Sequence, residues 1–202
     1  EFHFDPDQYP GGYLWVFPKS RHAANVGVGL VMIDRKGVSQ ADLLIRFCQK
    51  RFSRFTIAER SSGGIPIFQG KHHLLKENIM LVGDAARVVD SFSGAGIVNG
   101  MLSGKIAGET AAAYCYDGHS LAQLKSYPRQ FMKLKGRELS IYLKAHKLMS
   151  RLKPDDLVSA IQFLKGYFPD GYTTSINGVH LALKLMRHNP RFILLSKGLV
   201  FA

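Results

Sequence analysis

Hydrophobic residues follow a period of two near the start of the chain. Across residues 13–17 aromatic residues at the odd positions alternate with aliphatic residues at the even positions (Tyr-Leu-Trp-Val-Phe). This period is typical of a β-strand whose two faces are both apolar. Pro18-Lys19 ends the strand, and residues 24–33 supply a second apolar run. The pattern predicts two antiparallel strands.

In much of the rest of the chain, apolar residues recur with the helical period of 3.6 residues. Residues 39–54 are predicted to form a helix that Ser39 caps and that carries an apolar stripe. Residues 55–60 are predicted to form a strand, followed by a turn and an extended connection through residues 61–67. Further basic helices are predicted in four stretches after residue 120. Their ranges are 121–149, 154–168, 176–186 and 192–201.

The middle of the chain combines a short apolar run with two glycine-containing turns. The run 79–82 predicts a buried strand of an α/β sheet, and Gly83-Asp84 follows it directly. A second glycine cluster at residues 94–96 opens a helix predicted over 95–113. Ligands of open α/β sheets bind beyond the carboxyl ends of strands, where the Asp84 carboxylate could accept hydrogen bonds from sugar-type hydroxyls. The helix start offers unpaired N–H groups and a positive dipole end to an electron-rich ligand.

The helix over 95–113 has glycine at every fourth position. Gly96, Gly100, Gly104 and Gly108 therefore line one face, and each interior glycine costs about 1 kcal/mol of helix stability relative to Ala. This cost indicates close approach by another backbone or a flat cofactor, or tight helix-on-sheet packing with no ligand. A membrane-spanning glycine zipper is disfavoured because polar and charged residues interrupt the segment.

Charge is distributed unevenly along the 202 residues. Residues 1–118 hold 13 Lys and Arg against 11 Asp and Glu, whereas residues 119–202 hold 14 against 4. The second part therefore carries +10 of the net charge of +12. Basic helices with apolar stripes suit a surface that rests on anionic lipid head groups, or simply a solvated helical cap. The sequence has no signature of a nucleic-acid-binding motif.

Cysteine and histidine positions predict no metal site and no disulfide framework. Cys48 and Cys115 lie in helical patterns, which favours burial as small apolar residues for both. His72 and His73 are adjacent and lack ligand spacing, so we expect them at the solvated surface. Nothing in the cysteine content indicates an oxidising compartment.

The run of residues 83–109 resembles the second flavin-binding motif of FAD-dependent reductases and hydroxylases, most closely that of geranylgeranyl reductases. This resemblance implies that Gly83 and Asp84 hold the ribityl chain of FAD. It also implies that the turn of Gly94, Ala95, Gly96 and Ile97 lies beside the isoalloxazine ring, which its N–H groups would stabilise. Ser91 stands where relatives usually carry Pro, which predicts a looser loop.

A second motif resembles the lipid site of archaeal geranylgeranyl reductases. The family's motif reads Pro-x-x-Tyr-x-Trp-x-Phe-Pro-Lys and is followed later in the chain by Gly-x-Gly. The matching residues here are Pro10, Tyr13, Trp15, Phe17, Pro18, Lys19, Gly27 and Gly29. The resemblance implies that the three aromatic rings contact an isoprenoid chain and that Lys19 lies near its polar end or stabilises the fold. Without the resemblance, the pattern favours an ordinary aromatic sheet core over a hydrocarbon channel.

Together the motifs imply the carboxyl-terminal half of an α/β (α+β) reductase of the p-hydroxybenzoate-hydroxylase-like type. The expected divisions are a prenyl-binding sheet over 1–70, a return segment of the FAD domain over 71–118, and a basic helical region over 119–202. The sequence has no Gly-x-Gly-x-x-Gly turn for the ADP half of FAD. We therefore expect a truncated, processed or split protein that alone binds FAD weakly or not at all and is inactive, with an amino-terminal half as a possible partner.

The implied reaction hydrogenates isolated double bonds of geranylgeranyl chains, with NADPH or ferredoxin as reductant of the intact enzyme. A cytoplasmic protein peripheral to an anionic membrane is expected. No residue is singled out as the catalytic proton donor. In the family this role is proposed for a cysteine, and neither Cys48 nor Cys115 matches the motif of that cysteine. The alternatives are a flavin-dependent aromatic hydroxylase, against which the Tyr-x-Trp-x-Phe-Pro-Lys run argues, and a non-catalytic prenyl-lipid-binding module.

Overall fold

The computed structural model describes residues 1–5, 7–9, 12–30, 39–116, 121–167 and 184–192. Its strands are β1 (Phe2–His3), β2 (Tyr13–Pro18), β3 (Ala24–Gly29), β4 (Leu75–Lys76) and β5 (Ile79–Met80). Its helices are α1 (Gln40–Arg51), α2 (Ile97–Tyr116), α3 (Leu121–Leu124), α4 (Ser126–Met149) and α5 (Pro154–Tyr167), with a 3₁₀ helix at Gly83–Ala86. The predicted mixed α/β class with small antiparallel sheets is confirmed.

The chain divides into two compact units. The first contains Glu1–Glu59 and Lys147–Ala202, and the second contains Arg60–His146. These units are defined by compactness, so the functional divisions that we expect after residues 70 and 118 stay predictions.

The first unit contains a three-stranded antiparallel sheet in the order β1-β2-β3. Its register pairs Phe2 with Trp15 and Trp15 with Gly27, which confirms the predicted strand pair over residues 24–29 of the second strand and adds a strand that was not predicted. Residues 31–33 of the predicted second strand lie outside the described residues. Leu14 and Val16 of β2 are buried, while the aromatic residues between them lie on the other face. The alternation in sequence thus separates a core face from an aromatic face.

Helix α1 covers the core face of this sheet. The Ser39 hydroxyl accepts a hydrogen bond from the Asp42 N–H at 3.0 Å, as predicted for the N-cap. The helix packs its apolar stripe against a cluster centred on Tyr9, Leu14 and Val16. The packing residues of α1 and its C-cap are Leu44, Phe47 and Phe52.

The second unit is built around α2 and α4. Its core contains residues from both helices together with residues that precede α2. The fully buried members of that core include Phe68, Leu74, Val88, Tyr127, Phe131 and Leu139. Helix α2 begins two residues later and ends three residues later than predicted.

Three expectations about strands and cysteines are wrong. Residues 55–60 form no strand, because none of the described residues pairs with their backbone and the segment is exposed. The run 79–82 gives only the hairpin strand β5, whose Ile79 is 58% exposed, instead of a buried strand. Cys48 is buried as expected, but Cys115 is exposed near the end of α2.

The carboxyl-terminal helices are partly confirmed. The predicted helix 121–149 is divided at Lys125 into α3 and α4, and α5 matches the prediction within one residue. Residues 184–188 are helical, whereas most of the last two predicted helices lies outside the described residues. Among the described residues, no helix has the length and apolar character that crossing a membrane requires.

Candidate functional site

The face of the first sheet that points away from α1 carries a continuous set of aromatic rings. Within β2 the ring centroids of Tyr13 and Trp15 lie 5.8 Å apart, and those of Trp15 and Phe17 lie 6.0 Å apart. The Phe2 centroid lies 5.5 Å from Tyr13 and 5.4 Å from Phe17, and Phe4 lies 5.7 Å from Tyr13. These separations are those of interacting rings. We call these five residues the aromatic face.

Trp15 is held in place by β3. Its Nε1–H donates a hydrogen bond to Asn25 Oδ1 at 2.8 Å, and its ring lies over Gly27. A Cβ at Gly27 would come within 2.1 Å of Trp15 Cζ2, whereas a Cβ at Gly29 would lie 3.7 Å from Trp15 Cζ3. The first glycine of the predicted Gly-x-Gly pair is therefore required by the position of the indole ring.

Two members of the aromatic face were not predicted from the sequence. Phe2 and Phe4 extend the face beyond β2, and the alternation Phe-His-Phe at residues 2–4 is the signal that could have identified them. The side chains of Phe2, Phe4 and Phe17 are 57%, 42% and 43% exposed. Rings that retain this exposure in a sheet are available to an apolar ligand.

The remaining residues of the first motif lie at the end of β2. Pro18 is its last residue, and Lys19 begins a tight turn in which its N–H donates to the Ala23 carbonyl at 2.8 Å. The Lys19 side chain is exposed and has no ion pair with any described residue. Pro10 lies outside the described residues.

The second motif brings Asp84 to the amino end of α2. Asp84 Oδ1 lies 3.0 Å from the position that a Cβ would occupy at Gly96, and Val89 Cγ2 lies 3.3 Å from the same position. The Asp84 side chain is exposed and makes no hydrogen bond or ion pair with the described part of the chain. Its carboxylate can therefore accept hydrogen bonds from a ligand that lies along the start of α2.

The N–H groups of the glycine turn differ in availability. Gly94 N–H donates to the Asp90 carbonyl at 3.0 Å, and Ala95 N–H donates to Ser93 Oγ at 3.2 Å. The N–H groups of Gly96 and Ile97 have no acceptor among the described residues, as is normal for the first turn of a helix. Only the second half of the turn offers donors to a ligand, while Gly94 and Ala95 shape the loop.

Asp90 organises the loop before α2. Its buried carboxylate accepts hydrogen bonds from Phe92 N–H at 2.7 Å and from the Ser93 hydroxyl, and its own N–H donates to the Ala95 carbonyl at 2.9 Å. Ser91 is buried and its hydroxyl donates to the Phe68 carbonyl. This hydrogen bond anchors the residue at which a looser loop is expected, and the looseness itself stays a prediction.

The start of α2 is tied to the segment that carries Asp84. Gly83 N–H donates to Ser103 Oγ at 3.0 Å, and Asn99 Nδ2 donates to the Val88 carbonyl at 2.8 Å. Gly83 adopts a φ of 56°, and its Cα lies close to Gly100.

The four regularly spaced glycines, Gly96 just before α2 and Gly100, Gly104 and Gly108 within it, divide into two pairs. Gly96 and Gly100 face protein atoms, whereas the glycine spacing predicted close approach at all four positions. A Cβ added at Gly104 or at Gly108 would meet no described atom within 4 Å. On the glycine face, close approach by described atoms is therefore confined to Gly96 and Gly100.

The adjacent histidines His72 and His73 differ in burial. Within the described ranges no group of three or more metal-ligating side chains is present. His73 is exposed as expected, but His72 is half-buried and its Nδ1 is buried without a hydrogen bond. Burial, together with the neighbouring His73, lowers the pKa of His72 and favours its neutral form.

Comparisons with known proteins identify relatives of this chain. Residues 1–65, which include the aromatic face, match the family model of the geranylgeranyl reductase catalytic domain. The chain is 35% identical over 158 residues to a digeranylgeranylglycerophospholipid reductase of Methanothrix thermoacetophila, covering 78% of this chain and 40% of that protein. The corresponding reductase of Methanosarcina acetivorans is 37% identical over 170 residues, covering 82% and 42%.

A solved structure extends this similarity to nearly all of the chain. A geranylgeranyl bacteriochlorophyll reductase-like protein of Thermoplasma acidophilum aligns with a TM-score of 0.80 and 25% identity. The alignment covers 98% of this chain and 50% of that protein, so the chain spans about half the length of the relatives it matches. On these sequence and structural matches, the chain belongs to the geranylgeranyl reductase family.

Proposed function

We propose that this chain is the prenyl-binding and flavin-ring-binding portion of an FAD-dependent reductase that hydrogenates isolated double bonds of geranylgeranyl chains. The substrate would be an archaeal membrane-lipid precursor or a related prenyl compound. The aromatic face is the observation that carries this proposal, because a flexible hydrocarbon chain gains affinity mainly from apolar contact area. Lys19, at the end of β2, suits the polar end of such a substrate.

The proposed cofactor site uses Asp84 and the start of α2. The exposed carboxylate of Asp84, unpaired within the described residues, is suited to accept hydrogen bonds from ribityl hydroxyls. The N–H groups of Gly96 and Ile97, at the positive end of the helix dipole, are suited to stabilise negative charge on the isoalloxazine ring. Gly83, Gly94 and Ala95 would shape the backbone around it.

FAD, when bound and reduced, would supply the hydride that adds to one carbon of each double bond, while an acid supplies a proton to the other carbon. The residues of this chain would bind and orient the two partners. The aromatic face would exclude water from the alkene. Asp84 would hold the ribityl chain and so limit the movement of the isoalloxazine ring. NADPH or ferredoxin would reduce the cofactor in the intact enzyme.

Trp15 provides a direct test of the prenyl site. It is the single Trp of the sequence, so its fluorescence reports only on the aromatic face. Titration of the chain with geranylgeraniol should give a saturable change of emission. Phe17→Ala removes part of the proposed contact area and should weaken binding about tenfold. Phe55→Ala is the matched control, because Phe55 is 40% exposed but lies outside the sheet.

Two results would contradict the prenyl site. The first is Trp15 emission that does not change when geranylgeraniol is added up to its solubility limit, because a prenyl chain in contact with the ring would change the emission. Equal loss of affinity in Phe17→Ala and Phe55→Ala would show that the ligand adsorbs on exposed apolar residues in general.

A further inference from the structure

The exposed face of α4 carries a row of cations. Arg129, Lys133, Arg137 and Lys144 follow at spacings of four, four and seven residues, which places them on one side of the helix. All four are exposed, and none has an ion pair with a described residue. At 1.5 Å per residue the row extends over about 22 Å. We call these four residues the basic row.

No carboxylate of α4 neutralises the basic row. Glu138 is the only acidic residue of this helix, and it pairs with Lys135 at 2.8 Å. Lys135 and Glu138 are partly buried, on the side of α4 that carries the buried residues of the core. The positive charge of the row is therefore presented to the surroundings without an internal partner on the same helix.

Two exposed apolar side chains accompany the basic row. Leu134 and Ile141 are 62% and 53% exposed and lie seven residues apart, so they form a line beside the cations. Their exposure has no explanation in the packing of the unit, because the buried face of α4 is formed by other residues. Cations with adjacent exposed aliphatic residues are characteristic of helices that lie in the interface of an anionic bilayer.

We infer that the basic row docks on the surface of an anionic lipid bilayer, with Leu134 and Ile141 entering the boundary between head groups and acyl chains. A bilayer accounts for both features, since nucleic acid offers a partner to the cations but none to the aliphatic side chains. This inference extends the proposed function, in which the substrate is a membrane lipid, but its test does not depend on prenyl binding.

Vesicle flotation tests the docking surface. The full chain should float with vesicles of equal phosphatidylcholine and phosphatidylglycerol and should not float with pure phosphatidylcholine. The triple variant Lys133→Gln, Arg137→Gln, Lys144→Gln removes three of the four cations, and at about 1 kcal/mol each its partition coefficient should fall about 100-fold. The changes are at exposed positions, so circular dichroism and the melting temperature should match the wild type.

A second triple variant separates the basic row from net charge. Arg46→Gln, Lys50→Gln, Arg54→Gln makes the same change of charge at exposed positions outside α4 and should lower partitioning much less. Leu134→Ser with Ile141→Ser should lower flotation at constant charge and leave its salt dependence in place, since salt screens only the electrostatic contribution.

Three results would overturn the inference. The first is failure of the wild-type chain to float with the anionic vesicles. The second is an equal fall of the partition coefficient in the two triple variants. The third is binding to RNA that the triple variant of the basic row loses, in the absence of flotation. The Trp15 titration with geranylgeraniol is performed without a bilayer, so failure of the docking surface and failure of the proposed prenyl site give different results.

Discussion

The indole ring of Trp15 occupies the space that a side chain at Gly27 would need. An added Cβ would lie 2.1 Å from Cζ2 and 2.5 Å from Cε2 of the ring, distances that no side chain can adopt. The two residues are also register partners on β2 and β3. A glycine on one strand therefore fixes the position of an aromatic ring on the next, and this relationship explains physically why the two residues occur together in the motif.

Gly27→Ala should displace Trp15 from its position over β3. The added methyl group meets rigid ring atoms, and overpacking of this kind costs about 1–3 kcal/mol of stability. We expect a shift of Trp15 emission, a change of near-ultraviolet circular dichroism and a weaker response to geranylgeraniol.

Gly29→Ala is the control for this substitution. Its Cβ would lie 3.7 Å from the same ring, an ordinary van der Waals distance. Its Trp15 emission should remain close to that of the wild type. Equal spectral changes in the two variants would contradict the proposed role of Gly27.

Two glycines inside α2 offer a stabilising substitution. Gly104 and Gly108 have no described atom within 4 Å of an added Cβ, and both lie inside the helix. Replacement of each by Ala should raise the free energy of unfolding by about 0.5–1 kcal/mol, because Ala restricts the unfolded chain and favours the helix. Urea unfolding measures this gain.

Gly96→Ala should not share that gain. Its Cβ would lie 3.0 Å from Asp84 Oδ1 and 3.3 Å from Val89 Cγ2, so the carboxylate has to move. A stabilisation equal to that of Gly104→Ala would show that the Asp84 carboxylate is not held against the start of α2.

Tyr127→Phe should lower stability at neutral pH and change its dependence on alkaline pH. The buried hydroxyl donates to the Leu81 carbonyl at 2.7 Å, and the loss of this bond should cost about 1 kcal/mol. Burial raises the pKa of Tyr127 to about 12, while the phenol of an unfolded chain ionises near its ordinary pKa of 10.0. The wild type should therefore lose stability between these two pH values.

The difference between the two proteins should follow that ionisation. Below about pH 10 the wild type should be the more stable, and its advantage should shrink as the pH rises towards about 12, because ionisation favours only the unfolded wild-type chain. Urea unfolding at about pH 7, 9 and 11 measures the difference. A constant difference over this range would contradict burial of the phenol.

The features that could be predicted correctly are those that depend only on residues close together in the sequence. The alternation in β2, the Ser39 cap and the apolar stripe of α1 are local patterns, and the structure confirms all three. The stretch at 55–60 has a similar composition to a strand but forms none, because a strand also needs a pairing partner and composition does not provide one. The β4–β5 hairpin was missed for the related reason that each strand is only two residues long.

In the candidate site, too, features that depend on contacts between separate segments could not be predicted from the sequence. Proximity of Asp84 to Gly96 was predicted from the order of strand, turn and helix, and the structure confirms this proximity. The engaged N–H groups of Gly94 and Ala95 depend on Asp90 and Ser93, whose role becomes visible only when the loop closes. Ser91 donates to a carbonyl 23 residues away, so its anchoring could not be inferred from neighbouring positions.

The proposed function depends most on binding of the ribityl and isoalloxazine part of FAD by Asp84 and the start of α2. Nuclear magnetic resonance titration of the chain with riboflavin, and separately with FAD, examines this binding at the residues concerned. We expect shifts of the Asp84, Gly96 and Ile97 amides, dissociation constants that agree within roughly threefold for the two ligands, and weaker binding by Asp84→Asn. Absence of shifts at these amides with about 1 mM riboflavin, or shifts that Asp84→Asn leaves unchanged, would contradict the proposal.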